Sequence, residues 1–128
     1  MSKKIWNSPK APAPVGPYSH AVEANGMLFI SGQIPLDGES GKLVTSSIEQ
    51  QTQKVMENLG HVLEVAGLSF KNIIKCNIFL TSMNDFNAVN EVYAKSFTDE
   101  PPARACVEVP RLPKDVNVEI EAIAVRDL

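Results

Sequence analysis

Five stretches of this chain carry strand-like apolar patterns, and two others repeat apolar residues at helical spacing. Residues 20–24 and 27–31 read as a pair of strands joined by Asn25-Gly26, since both turn residues tolerate the positive φ of a type I′ hairpin. Ser46-Ser47-Ile48-Glu49 then reads as a capping box, with Ser46 accepting from the Glu49 amide and Glu49 reaching back. Ile48, Val55, Leu59, Val62, Leu63 and Ala66 follow on one side of a long helix, and Gly67 supplies its stop. Residues 73–80 alternate, placing Ile74, Cys76, Ile78 and Leu80 on one face of a central strand. After a cap in Ser82-Met83-Asn84-Asp85, Phe86, Val89, Tyr93 and Phe97 form the apolar stripe of a second helix.

Pro101-Pro102 end whatever precedes them, because neither can donate to a backbone ladder. From Ala103 a strand begins. Ala103, Ala105, Val107 and Val109 make an apolar face that reads as core, while Arg104, Cys106 and Glu108 share the other. The last strand, residues 116–125, sets Val118, Ile120, Ala122 and Ala124 opposite Asn117, Glu119 and Glu121. The segment through Pro17 carries four prolines and reads as an extended surface arm.

The order hairpin, helix, strand, helix, strand, strand implies an α+β fold in a single domain over 1–128, with two helices on one face of one sheet. The second sheet face is partly apolar, so contact with other subunits is expected. At 128 residues the chain can bury roughly two-thirds of its unfolded surface and needs no disulfide. Cys76 and Cys106 lack the spacing of a zinc knuckle or redox pair and read as reduced thiols. No apolar run approaches the roughly 20 residues of a membrane span, and the N-terminus lacks a signal-like core, so a cytoplasmic protein away from membranes is expected. The net charge of −3, with no basic tract, argues against a nucleic acid partner.

Motif chemistry is sparse. There is no G-x-S-x-G, H-E-x-x-H or dinucleotide fingerprint, and Gly41-Lys42 fails as a phosphate loop because Leu36 and Leu43 occupy required positions. His61 reads as a rim residue and His20 as a loop histidine. Arg104 stands out: its fork can donate two parallel hydrogen bonds to a carboxylate. That carboxylate belongs either to Glu119 or Glu121 of the chain itself or to a bound organic acid, and the spacing leaves both open. Read structurally, Tyr18 ties down the arm, Ser31 marks a bend beside Gly32, Asn90 faces solvent and Cys106 is a packed thiol. The pattern alone does not choose between Glu119 and Glu121.

Several blocks together resemble the RidA/YjgF family of reactive-intermediate deaminases. They are Gly16-Pro17-Tyr18-Ser19, Ser31-Gly32-Gln33-Ile34-Pro35, Asn84-Asp85-Phe86 with Val89-Asn90, residues 102–109 with 111–115, and Glu119-Ile120-Glu121-Ala122. The resemblance spans nearly the whole chain. It implies a chorismate-mutase-like fold and a homotrimer with clefts between subunits. It further implies hydrolysis of the imine and enamine products of serine and threonine dehydratases to 2-ketoacids, without metal or cofactor. Under it, Arg104 is the carboxylate clamp and Glu119 positions the attacking water, while Tyr18, Ser31, Gly32, Asn90 and Cys106 line the cleft. Pro110, where many relatives have Ala, departs from the pattern beside the Arg104 strand. The alternatives are a non-catalytic binder of 2-ketoacids or other small carboxylates, and an RNA-cleaving inhibitor of translation.

Overall fold

The computed structural model describes residues 2–128. Eight regular elements follow in order: β1 (Lys4–Trp6), β2 (Ala21–Ala24), β3 (Met27–Gln33), α1 (Ile48–Val65), β4 (Ile73–Leu80), α2 (Phe86–Ala94), β5 (Ala103–Glu108) and β6 (Val118–Val125). They build one six-stranded sheet in the order β1-β2-β3-β6-β4-β5. Only β4 and β5 run parallel, and α2 makes the crossover between them. The expected α+β layering is what the chain adopts.

Asn25 at φ 53 and Gly26 at φ 74 close the β2–β3 hairpin, as their left-handed tolerance requires. Helix α1 starts one residue later than the capping box predicts: Ser47, not Ser46, accepts from the Gln50 amide at 3.1 Å. Adjacent serines offer two equivalent caps, and the backbone takes the second. At the other end Gly67 adopts φ 75, and the Leu68 amide donates back to Leu63 at 2.9 Å.

The core lies between the helices and one sheet face. Leu28, Leu59, Leu63, Ile78, Leu80 and Ile120 are fully buried there, and truncating any of them to Ala should cost about 2–5 kcal/mol. In β4 the buried residue is Ile73 rather than Ile74, because the β4–β6 register shifts between Ile73 and Lys75 and turns Ile74 outward. Phe97 lies past the end of α2, but Lys95, Ser96 and Phe97 donate to carbonyls three residues back, which keeps Phe97 on the helix stripe.

The proline arm is tied down more firmly than its sequence suggests. Lys4–Trp6 pairs with β2, a three-residue strand too short to show a pattern. His20, 2% exposed, pins the rest: its Nδ1 accepts from the Ser8 amide at 3.0 Å, and its Nε2 donates to the Pro12 carbonyl at 2.6 Å. That geometry uses both ring nitrogens, so His20 serves as a staple of the arm.

Strand β5 overturns one expectation. Its apolar face is not core: Ala103, Ala105 and Val107 are exposed, Val107 at 45%. Alternation correctly separates the two faces of β5, but on this edge strand the helices cover the Arg104–Cys106 side. The open sheet face also exposes Phe29 and Ile74. Among the described residues no helix is long and apolar enough to cross a membrane.

Candidate active site

Arg104 registers with Cys76 of β4 and therefore sits on the helix side of the sheet, at its exposed edge. Three residues of α2, Phe86, Asn90 and Tyr93, fall at i, i+4 and i+7 and face it. Asn90 Oδ1 accepts from Arg104 Nη1 at 2.6 Å. The guanidinium carbon lies 5.1 Å from the Tyr93 ring centroid and 5.5 Å from that of Phe86. Among the described residues no carboxylate pairs with Arg104. Of the two readings the sequence leaves open, the internal ion pair is therefore absent. The remaining guanidinium donors are available to an external acceptor.

Cys106 registers with Ile78 and is half-buried behind Arg104. Burial pushes its thiol up and outweighs the opposing pull of the Arg104 charge. It is thus a neutral thiol, suited to packing rather than nucleophilic attack. Glu108 is occupied as a cap, accepting from the Met83 amide at 2.6 Å.

Tyr18, Ser31, Gly32 and Glu119 gather on the opposite side of the sheet. A bulge in β3 creates this place: Ile30 pairs with Ala122 and Gln33 with Ile120, so Ser31 and Gly32 occupy the bulge between two inward residues. The Ser31 hydroxyl donates to the Ser19 carbonyl at 2.6 Å, and its amide donates to the His20 carbonyl at 2.9 Å. The serine thus holds the Tyr18 loop against β3. Tyr18 is 48% exposed and shares a small hollow with Gly32, Gln33 and Lys114.

Glu119 pairs with Phe79 and points out of this open face, half-buried. Burial, and then repulsion from Glu121, raise its carboxyl above the ordinary value. It makes no side-chain hydrogen bond among the described residues. Glu121, by contrast, accepts from Asn77 Nδ2 at 3.0 Å. The structure thus separates two glutamates that the sequence cannot: Glu119 is the free, proton-hungry carboxylate, and Glu121 is engaged.

The seven candidate residues therefore fall into two half-sites. Arg104, Asn90 and Cys106 lie on the helix side; Tyr18, Ser31, Gly32 and Glu119 lie on the open side. Sheet backbone separates them, so one chain alone cannot bring Arg104 and Glu119 to the same small molecule. The sequence reading missed Phe86 and Tyr93 as neighbours of Arg104, although their spacing with Asn90 was visible. Among the described residues no group of three or more His, Cys, Asp or Glu side chains is placed to hold a metal ion.

Comparison with known proteins places the whole chain in one family. The family model described as endoribonuclease L-PSP matches residues 8–126. A RutC family protein of Pyrococcus horikoshii is 50% identical over 98% of this chain and 99% of its own length. The mouse protein named 2-iminobutanoate/2-iminopropanoate deaminase is 44% identical over 97% of this chain and 92% of its own. Among solved structures, E. coli TdcF with bound serine superposes with a TM-score of 0.93 at 43% identity, covering 97% of this chain and 99% of the other. The chain accordingly belongs to the endoribonuclease L-PSP family, the RutC/YjgF/RidA proteins.

Proposed function

We propose that the protein hydrolyses 2-iminobutanoate and 2-iminopropanoate, with their enamine tautomers, to 2-ketoacids and ammonia. The cleft is formed where the Arg104 side of one protomer meets the open sheet face of the next. The single observation that carries this reading is the presence, on opposite faces of one sheet, of a guanidinium without an anionic partner and a half-buried carboxylate without a hydrogen bond. A contact that joins one face to a different face is heterologous and forms a ring when its rotation closes, as in the homotrimer that the family resemblance implies. The exposed Phe29, Ile74 and Val107 supply apolar area for such a contact.

In this cleft Arg104 grips the substrate carboxylate, and Asn90 holds the fork in place. Gly32 leaves room for the Glu119 carboxylate, and Tyr18 closes the mouth. Glu119 takes a proton from water as the oxygen adds to C2, and that proton passes to the imine nitrogen. A second proton moves from the new hydroxyl to the same nitrogen, the C–N bond breaks, and ammonia leaves as the carbonyl forms. The imine carbon is already electrophilic, so holding and proton transfer suffice.

A second reading has its own support: TdcF carries bound serine, so a carboxylate-binding module of the same fold is the competing function. The family description names an endoribonuclease, but a net charge of −3 favours a small acid over a phosphate chain. The deciding experiment couples a threonine dehydratase to this protein, with semicarbazide trapping free imine. Faster 2-ketobutanoate release supports the deaminase. Bound ketoacid without acceleration supports the binding module.

A further inference from the structure

Tyr93 is buried, 4% exposed, and its hydroxyl has no hydrogen bond of good geometry although it lies beside the Cys76 thiol. A buried hydroxyl without a partner is costly, and it takes no part in the contact that the ring makes with Arg104. Burial also pushes the phenol well above its ordinary value, so the ring stays neutral. The ring is held from behind. Phe97 tilts against it at 4.7 Å and 43°, and Phe70 meets Phe97 edge-on at 5.7 Å and 88°. In front, the ring faces the Arg104 guanidinium carbon at 5.1 Å, with Phe86 at 5.5 Å.

A guanidinium on a flexible stem can rotate both within its plane and out of it. The Asn90 hydrogen bond fixes the first motion at one nitrogen. It cannot fix the second, because a single hydrogen bond is an axis. A face-on ring can, through attraction between the cation and the π quadrupole. The geometry points to Tyr93 as the positioning residue that sets the plane of the Arg104 fork, so that its free donors meet a planar carboxylate together. Tyr93 touches no substrate and acts through Arg104. This inference rests on the reading of Arg104 as a carboxylate clamp and deepens it, by naming what orients the clamp.

The test is calorimetric binding of 2-ketobutanoate to the intact assembly, with Arg104→Ala as reference, followed by steady-state kinetics. Tyr93→Phe keeps the ring and should hold the wild-type Kd. Tyr93→Leu removes it and should weaken Kd and raise KM by roughly three- to tenfold, with kcat within about twofold. Pentafluorophenylalanine at position 93 keeps the shape and reverses the ring's quadrupole. It should weaken Kd like Leu while the melting temperature holds, which keeps the test decisive if the Leu variant folds poorly. If the fluorinated ring binds ketobutanoate as wild type does while Arg104→Ala does not bind, the Tyr93 inference falls and the clamp stands. If wild type and Arg104→Ala bind alike, the clamp itself falls, and Tyr93 with it.

Discussion

A side chain at Gly32 would collide with the carboxylate of Glu119: a Cβ built on the glycine lies 2.8 Å from Glu119 Cδ and closer still to Oε2. The backbone and the Glu119 carboxylate therefore compete for one volume, and the glycine cedes it. Gly32→Ala should push the carboxylate aside and lower kcat about a hundredfold, in the range typical of a displaced general base. Circular dichroism should show the fold intact, because the φ of Gly32 lies outside the left-handed region.

In the proposed reaction the raised Glu119 carboxyl should set the pH dependence. Glu119 works as a base only when ionised, so kcat/KM should fall as pH drops through its elevated pKa, giving an acid limb above the ordinary carboxylate value of 4.5. Repulsion from Glu121 is one cause of that elevation. Glu121→Gln should therefore move the limb to lower pH while the plateau rate persists. A limb that moves upward, or not at all, counts against the assignment.

Arg104→Lys retains the charge and loses the fork. Carboxylate capture through two parallel hydrogen bonds should then weaken about 10- to 100-fold in KM, with the oligomer unchanged by light scattering.

Far from the site, Arg126 grips Glu23 in a bidentate pair at 2.7 Å and 2.7 Å, and Trp6 Nε1 donates to the same carboxylate at 2.9 Å. The Arg126 hydrogen bond, chiefly, lowers Glu23 to about 2. A depressed carboxyl contributes stability that is present above its unfolded value near 4.5 and is lost as pH falls through about 2. The melting temperature should decline across that window, and Glu23→Gln should flatten the decline. Trp6 is the only tryptophan, so its fluorescence reports the loosening of β1 directly.

How much of this was legible beforehand varies by residue. Asn25-Gly26 and Gly67 announce their turns because few other residues tolerate those φ values. The two faces of β5 were legible, but which face is covered was not: alternation has no sign, and an edge strand can turn its apolar side outward toward another copy. Ile73 replaced Ile74 in the core because a bulge resets the alternation, and no residue in that stretch marks it. Between Glu119 and Glu121 only the resemblance chose; the physical difference between them comes from Asn77, which lies 44 residues from Glu121 in sequence and beside it only once β4 and β6 pair. Arg104 and Glu119 were identified as candidates from sequence and resemblance; that they face opposite ways emerges only from the sheet register.

The most direct measurement is subunit complementation. Arg104→Ala and Glu119→Gln proteins, each inactive alone, are unfolded together at equal concentration, refolded and assayed. If each cleft takes Arg104 from one protomer and Glu119 from the next, random mixing restores both wild-type residues in about a quarter of clefts, and activity should return to about a quarter of wild type. Mixed assemblies that form but remain inactive would contradict a site shared between protomers.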